Sequence, residues 1–213
     1  MRHDSLPPRE TVEVSARRYT YHYAAEYVDR GYSVVPREGT SPIVRISNDR
    51  SRRTRLDDIA IWFGDPSATT RNVGIVTGQT SGLVVVETKS AEDMSYWLDG
   101  RLRSPLSVPM RDGRTQIYYR YPRGMQVETV SSAFNRGINI LGDGAFVIAP
   151  PSILPDTGEI LKWNEEGQAY CLADVPIFDS EWFSGEPTSE TVTNVRVGQR
   201  TASRGSHSNE GDN

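Results

Sequence analysis

The feature that most constrains the fold is a pair of apolar runs, NVGIVTG and GLVVVE, separated by QTS within residues 72–87. Glycines on either side of the short connection favour a tight turn. A run of valines this apolar is typical of a strand buried in the middle of a sheet. The far end of such a strand is a natural place for chemistry, so the residues that follow the valines are the first candidates for a site.

The valine run ends in Glu87, Thr88 and Lys89. Alternate residues of a strand face the same side of the sheet, so the sequence predicts that Glu87 and Lys89 point the same way. A metal-dependent enzyme would need two acids on that face, and this chain offers one acid and one base. The pair therefore bears directly on whether the chain catalyses a reaction.

Helical patterns come early in the chain. Tyrosine and alanine side chains recur at three- and four-residue spacing in residues 16–27, which predicts a first helix ending at Gly31. YSVVP then predicts a short strand that Pro36 stops. Thr54, with Asp57 three residues later, predicts the start of a second helix.

Strand patterns dominate the second half. A third helix is predicted from Ser90 to Gly100, followed by the hairpin turn RDGR and the alternating segment TQIYYRYP. GINIL, GDG and AFVIAPPS form a strand–turn–strand unit, and PDTGEILKW adds a turn and a last strand. This order predicts an α+β fold with a mixed, largely antiparallel sheet and flanking helices. The predicted organisation is a flexible arm over 1–12, one domain over 13–183 and a disordered, polar tail over 184–213.

Composition narrows the classes of function. The net charge of −4 argues against a protein that coats nucleic acid nonspecifically. Cys171 is the only cysteine, and no apolar stretch approaches the roughly 20 residues needed to cross a bilayer, so a cytoplasmic location is the default expectation. The three histidines have neither triad nor zinc-ligand spacing. One short segment is rich in arginine, and it is either a solvated loop or an edge that contacts phosphates: Arg45, Arg50, Arg52, Arg53 and Arg55.

Four stretches, in this order, resemble the bifunctional DNA primase/polymerase (prim-pol) family of the archaeo-eukaryotic primase superfamily. They are YAAEYVDRGYSVVP, RNVGIVTGQTSGLVVVE, RDGRTQIYYRYP and GINILGDGAFVIAPPSILPDTGEILKW. The resemblance covers roughly residues 16–163 and implies a primase/polymerase-like core in which three motifs converge. Members of this family join nucleotides on a DNA template with Mg²⁺ or Mn²⁺ and are common on mobile elements. The family places Asp-x-Asp at the end of the valine strand, a histidine in the second motif and a further acid in the third.

This chain departs from the family at each of those positions. Glu87 keeps the first acid, Lys89 reverses the charge of the second, Gln116 replaces the histidine and Asn139 replaces the third acid. Asp143 is the remaining carboxylate nearby. The resemblance therefore implies a degenerate active site in which no metal is expected, or one held by Glu87 and Asp143 if any.

Several side chains keep two interpretations. Glu87 and Lys89 form an ion pair with each other, or the Lys89 ammonium contacts a phosphate directly. Arg114 and Arg120 flank Gln116 and are candidates for phosphate contact because the guanidinium fork fits phosphate oxygens. Ser152 matches a position at which the family's motif approaches the nucleotide, and is otherwise a loop hydroxyl.

The favoured hypothesis is a catalytically degenerate prim-pol domain that binds nucleic acid or nucleotide as an accessory of mobile-element replication. The first alternative is an active metal-dependent DNA primase/polymerase, a nucleotidyltransferase using Mg²⁺ or Mn²⁺. The second is a protein-interaction or decoy subunit that pairs with a helicase or an active primase. No cofactor is expected under the favoured hypothesis, and no membrane association under any of the three.

Overall fold

The structure, a computed structural model, describes residues 20–38, 41–42, 53–64, 72–164 and 175–183. Its helices are α1 (20–29), α2 (Leu56–Phe63) and α3 (Ala91–Leu98), with short 3₁₀ turns at Ala133–Asn135 and Ser180–Phe183. Its strands are β1 (Val34–Glu38), β2 (Ser41–Pro42), β3 (Asn72–Val76), β4 (Leu83–Thr88), β5 (Ser107–Pro109), β6 (Thr115–Arg120), β7 (Ile138–Leu141) and β8 (Phe146–Ala149). The predicted arm over 1–12 and tail over 184–213 lie outside the described residues.

The described strands form two four-stranded sheets, ordered β2-β1-β3-β8 and β5-β6-β4-β7. Every pairing between these strands is antiparallel, which confirms the predicted α+β class with largely antiparallel strands. The glycine-flanked turn joins the two sheets, because β3 belongs to the first and β4 to the second. Sequence patterns did not predict this division, since a short turn between two apolar runs is equally compatible with one sheet.

A first hydrophobic core joins both sheets to the two early helices. Val34, Val73 and Ile75 face it from the first sheet, and Val85 and Tyr118 face it from the second. On α1, Tyr27 packs into this core and donates a hydrogen bond from its hydroxyl to the carbonyl of Pro150 at 2.6 Å. The helical stripe predicted from the sequence is therefore a packing surface.

A second core covers the opposite face of the second sheet. Val84 and Val86 alternate with the residues of the first core and pack against Trp97 of α3. Phe178, in the last described segment, stacks on Trp97 with ring centroids 6.2 Å apart. Because both faces of β4 are buried, the strand is apolar along nearly its whole length, and the polar residues at its end stand out.

Two local predictions were wrong for related reasons. β1 continues through Pro36 to Glu38 instead of stopping at the proline. The backbone carbonyl of Ser33 accepts a hydrogen bond from Val76 N, and in this register the Pro36 nitrogen points away from β3, so no ladder hydrogen bond is lost. Thr54 does not cap α2; its hydroxyl accepts from Val34 N at 3.0 Å and donates to Val34 O at 2.7 Å. The helix starts one residue later, and the Asp58 carboxylate accepts from Arg55 N at 3.0 Å.

Other local predictions agree with the structure. Gly31 ends α1 with φ +87°, and Ser90 caps α3 by accepting from Asp93 N at 3.1 Å. The last predicted strand is instead a turn closed by a single bridge between Ile153 and Ile160. Among the described residues, no helix combines the length and apolarity that crossing a bilayer requires.

Candidate functional site

Three of the predicted site residues lie side by side across the second sheet. Glu87 of β4 is directly opposite Gln116 of β6 on one side and Asn139 of β7 on the other. They share the face that carries Val85 and Tyr118 into the first core. These three residues, here called the three-strand row, confirm that the segments resembling the family's three motifs converge.

The side chains of the row are already hydrogen-bonded within the protein. Asn139 Nδ2 donates to Glu87 Oε1 at 3.3 Å, while Asn139 Oδ1 accepts from Ser132 N at 3.1 Å. Gln116 is buried, and its Oε1 accepts from the Tyr118 hydroxyl at 3.0 Å. Burial raises the pKa of Tyr118 well above its ordinary value, and the nearby Tyr27, Tyr32 and Glu87 add to this shift, so the hydroxyl stays protonated and keeps donating.

Lys89 lies at the edge of the row and does not pair with Glu87. Its side chain is exposed, and among the described residues no carboxylate oxygen lies within 4.0 Å of its ammonium. The expected Glu87–Lys89 ion pair is therefore wrong. β4 ends at Thr88 and Lys89 N bonds to Gly137 O at 2.8 Å, so Lys89 begins the turn into α3. A Cβ on Gly137 would lie 2.5 Å from Asp93 Oδ2 and 2.9 Å from the Lys89 Cβ, so only a glycine fits here without a clash.

The donor set of the row does not fit the divalent metal that the family's chemistry implies. Mg²⁺ and Mn²⁺ favour several carboxylates, and the row offers Glu87 alone. The oxygens of Gln116 and Asn139 already accept hydrogen bonds from protein donors. Among the residues that the structure describes, no three histidine, cysteine or acidic side chains are grouped so as to hold a metal.

Asp143 is not brought to Glu87. It lies beside Gly78, which pairs with Leu83 at the start of β4, whereas Glu87 is four residues further along. That distance along a strand is about 13 Å, too far for both carboxylates to hold one ion. Asp143 instead accepts from the Tyr121 hydroxyl at 2.7 Å and from Gln79 N at 3.0 Å. These two hydrogen bonds hold the turn between the two sheets.

The predicted phosphate-contacting arginines are dispersed. Arg114 precedes Thr115, which pairs with Thr88, so it lies at the same end of the second sheet as Lys89. Its Nε donates to Asp112 at 2.7 Å. Arg120 lies at the other end of β6, opposite Leu83.

The arginine-rich segment is described only in part. Arg53 and Arg55 are exposed beside the start of α2. The remaining members lie outside the described residues: Arg45, Arg50 and Arg52.

Ser152 is buried and bonded to the backbone of β3. Its hydroxyl accepts from Val73 N at 2.8 Å and donates to Val73 O at 3.2 Å. These contacts connect the Pro-Pro-Ser segment to the first sheet. Contact between Ser152 and a nucleotide remains a prediction.

One structural feature near the row was missed. Ser132, Phe134 and Asn135 have φ of 53°, 58° and 53°, a left-handed conformation that non-glycine residues rarely adopt. Their turn leads into β7, and its Ser132 N–H is held by Asn139. The only sequence signal was Asn135, because asparagine tolerates this conformation better than most residues.

Comparison with known proteins identifies the family of this chain. A family model described as bifunctional DNA primase/polymerase, N-terminal, matches residues 24–177. No curated protein matches the chain. The matched region includes the three-strand row, both sheets and all three described helices except the start of α1.

Proposed function

The chain belongs to the bifunctional DNA primase/polymerase family, and we propose that it is a catalytically degenerate member that binds nucleic acid or nucleotide without metal-dependent polymerisation. Its biological place would be that of an accessory in the replication of a mobile element. Family membership supports a role in replication, and the substitutions in the three-strand row support the loss of catalysis.

The observation that carries the proposal is the charge of the row. Phosphoryl transfer depends on metals that bridge the triphosphate and neutralise the charge that develops. The row has one carboxylate, hydrogen-bonded to an amide, and the ammonium at its edge has no carboxylate partner within the described residues. Such a site attracts a phosphate oxygen more readily than a second cation.

Lys89 is the residue proposed to contact the phosphate. The Lys89 ammonium is exposed, and no described carboxylate pairs with it, whereas Asp112 partly neutralises the guanidinium of Arg114. Asn139 bonds to Glu87 and Gln116 bonds to Tyr118, and neither amide supplies a charge.

Fluorescence anisotropy with a labelled single-stranded oligonucleotide over a series of salt concentrations tests binding. The affinity of the wild type should fall steeply with salt. Lys89→Ala should weaken binding and reduce the magnitude of the log–log slope by about 0.7, the contribution of one phosphate contact on a single strand. Arg123→Ala removes a charge from an exposed loop after β6 and is the matched control, which should leave the slope unchanged. A flat response of the wild type at low salt contradicts the proposal.

Primer extension separates the proposal from the active-enzyme alternative. The full chain is incubated with template, primer, deoxynucleotides and Mn²⁺. No extension is expected; extension that Glu87→Ala abolishes would establish a working nucleotidyltransferase. Co-purification with a helicase or an active primase, without affinity for the oligonucleotide, would favour the decoy-subunit alternative.

A further inference from the structure

Arg37 is a buried arginine with an unusual path across the first sheet. Only 4% of its surface is exposed, and it lies on the sheet face opposite to Val34 and Val73 of the first core. A Cβ on Gly74 of β3 would lie 2.7 Å from Arg37 Cδ, so the glycine leaves room for the stem to cross. The guanidinium carbon ends 4.5 Å from the ring centre of Phe146 on β8. The side chain thus spans three strands.

This guanidinium has no counter-charge among the described residues. No described carboxylate oxygen lies within 4.0 Å of it, and its Nε is buried without a hydrogen-bond acceptor. Burial lowers the pKa of Arg37 to about 10. The Phe146 ring provides a cation–π contact but no acceptor for the N–H groups. Buried charges are normally paired, and the part of the chain that the structure describes provides no carboxylate for this one.

A purely structural brace would not need this chemistry. The stem covers Gly74 and the head covers Phe146, and a methionine could do both without burying a charge. A guanidinium adds a planar fork of N–H donors, whose geometry matches that of an oxyanion. In this protein Gly74 and the Phe146 ring already hold that fork in place.

We propose that Arg37, fixed between Gly74 and Phe146, is a binding site for a phosphate group, separate from the three-strand row. The row lies in the second sheet and Arg37 in the first. That the oxyanion is a phosphate, from a free nucleotide or from a nucleic-acid backbone, rests on the proposed function. The site itself rests on the buried Arg37 side chain, whose Nε has no acceptor among the described residues.

Thermal unfolding of the full chain with increasing inorganic phosphate tests the site. Phosphate at about ten times its dissociation constant should raise the Tm of the wild type by about 3 °C beyond the rise in Arg37→Met. Arg123→Met, which removes an exposed arginine, should respond as the wild type does. An equal rise in the wild type and in Arg37→Met would be the general stabilising effect of phosphate salts, and it would overturn the proposal.

The source of the phosphate is distinguished by two further ligands. If Arg37→Met weakens binding of a deoxynucleoside triphosphate about tenfold and leaves that of an oligonucleotide unchanged, the site takes free nucleotides. The reverse result identifies a backbone phosphate. Lys89→Ala should keep the Arg37-dependent response to inorganic phosphate, so failure of the proposed function and failure of this inference give different results.

A readout that needs no folded variant is the Nε–H resonance of Arg37 in ¹⁵N NMR of the wild type. Its chemical shift should move saturably during a phosphate titration. Arg37→Lys identifies the resonance if it folds, and selective arginine labelling with through-bond assignment identifies it otherwise. A resonance that stays in place up to saturating phosphate would overturn the proposal.

Discussion

The side-chain amide of Asn139 donates to Glu87 Oε1 at 3.3 Å, across the pairing of β7 with β4. The same amide accepts from Ser132 N through its oxygen. Only a side chain that both donates and accepts forms these two bonds at once, and an ionised aspartate accepts only. The residue at the position of the family's third acid is therefore integrated into the local structure.

Asn139→Asp should destabilise the protein in a pH-dependent manner. At pH 7 the new carboxylate would face Glu87 without a proton between them, and we expect a loss of about 1–3 kcal/mol in the free energy of unfolding. At pH 4 one carboxyl of the pair is protonated and donates to the other, so the loss should be smaller. Chemical denaturation at both pH values measures it. The control is Asn139→Ala, which removes both hydrogen bonds without adding charge and should lose a similar free energy of unfolding at pH 7 and at pH 4. If Asn139→Asp also lost the same free energy at the two pH values, this account would be contradicted.

Restoring the family's residues should create a metal site. The triple variant Lys89→Asp, Gln116→His, Asn139→Asp places an imidazole and an acid beside Glu87 on the two neighbouring strands, and a further acid just after the end of β4. Calorimetric titration with Mn²⁺ should show binding that the wild type lacks, because several oxygen ligands then meet. Adding Glu87→Gln to the triple variant should weaken its binding of Mn²⁺ again. Equal Mn²⁺ affinity of the wild type and the triple variant would mean that the row is not where metal binds.

Asp143 and Tyr121 should behave as one structural unit. Asp143→Ala removes an acceptor from the Tyr121 hydroxyl and from Gln79 N, and Tyr121→Phe also leaves Val127 N without its 2.9 Å acceptor. Each variant should lose about 1–3 kcal/mol, and the double variant should lose less than the sum by about 1 kcal/mol. Denaturant unfolding of all four proteins closes the cycle. Strict additivity would show that the 2.7 Å hydrogen bond does not couple the two residues.

Gly74 should tolerate a methyl group only when Arg37 is shortened. In Gly74→Ala the new Cβ would meet Arg37 Cδ at 2.7 Å and Val35 Cγ2 at 3.0 Å, so we expect a loss of about 1–3 kcal/mol from overpacking. In an Arg37→Ala background the first contact disappears and the cost should fall, although the contact with Val35 persists. The difference between the two backgrounds, from urea unfolding, is the measurement. An unchanged cost would show that Arg37 does not cross Gly74.

Alkaline pH should destabilise the fold through Tyr119. Burial raises the pKa of Tyr119 from its ordinary value of 10.0 to about 12, although its bond from Trp97 opposes the shift. The folded state therefore holds this proton more tightly than the unfolded state, and stability falls as pH rises from about 10 through about 12. In that interval Tyr119→Phe should have a shallower decline, by about 1.4 kcal/mol per pH unit. Denaturation at several pH values measures the slope, and parallel curves for the two proteins would exclude this contribution.

Predictions from the sequence succeeded where local pattern was sufficient. The continuous apolar run in GLVVVE correctly predicted a buried strand, and Ser90 correctly predicted the start of α3. Pro36 and Thr54 misled because the pairing of β1 outweighed their local preferences. Its register turns the Pro36 nitrogen away from β3, and the backbone of Val34 bonds to the Thr54 hydroxyl. Neither the position of Pro36 within the strand nor the role of Thr54 can be predicted without knowing which side of β1 faces β3.

The predictions about the site also divide into those that the sequence could make and those that needed the structure. The identities of Glu87, Gln116 and Asn139, and their correspondence to family motifs, were available from the sequence alone, and so was the expectation that they meet. The sequence could not separate Asp143 from Glu87. Glu87 lies near the end of β4 and Asp143 follows β7, and only the antiparallel register of β7 on β4 places them at opposite ends. Nor could it show that Lys89 forms no ion pair with Glu87, since that depends on where β4 ends.

The sequence by itself determined the α+β class, the periods of the helices and strands, and the shortage of acids at the motif positions, because these depend on residue identity and spacing. Tertiary structure alone decided that the apolar runs belong to two sheets, that Asn139 binds Glu87 and Ser132 together, and that Arg37 reaches Phe146 across Gly74. The physical reason is that the alternation of a strand tells only which face of the sheet a side chain occupies. Its neighbours on that face come from strands that are distant in the sequence, and the packing of both cores sets the register of those strands.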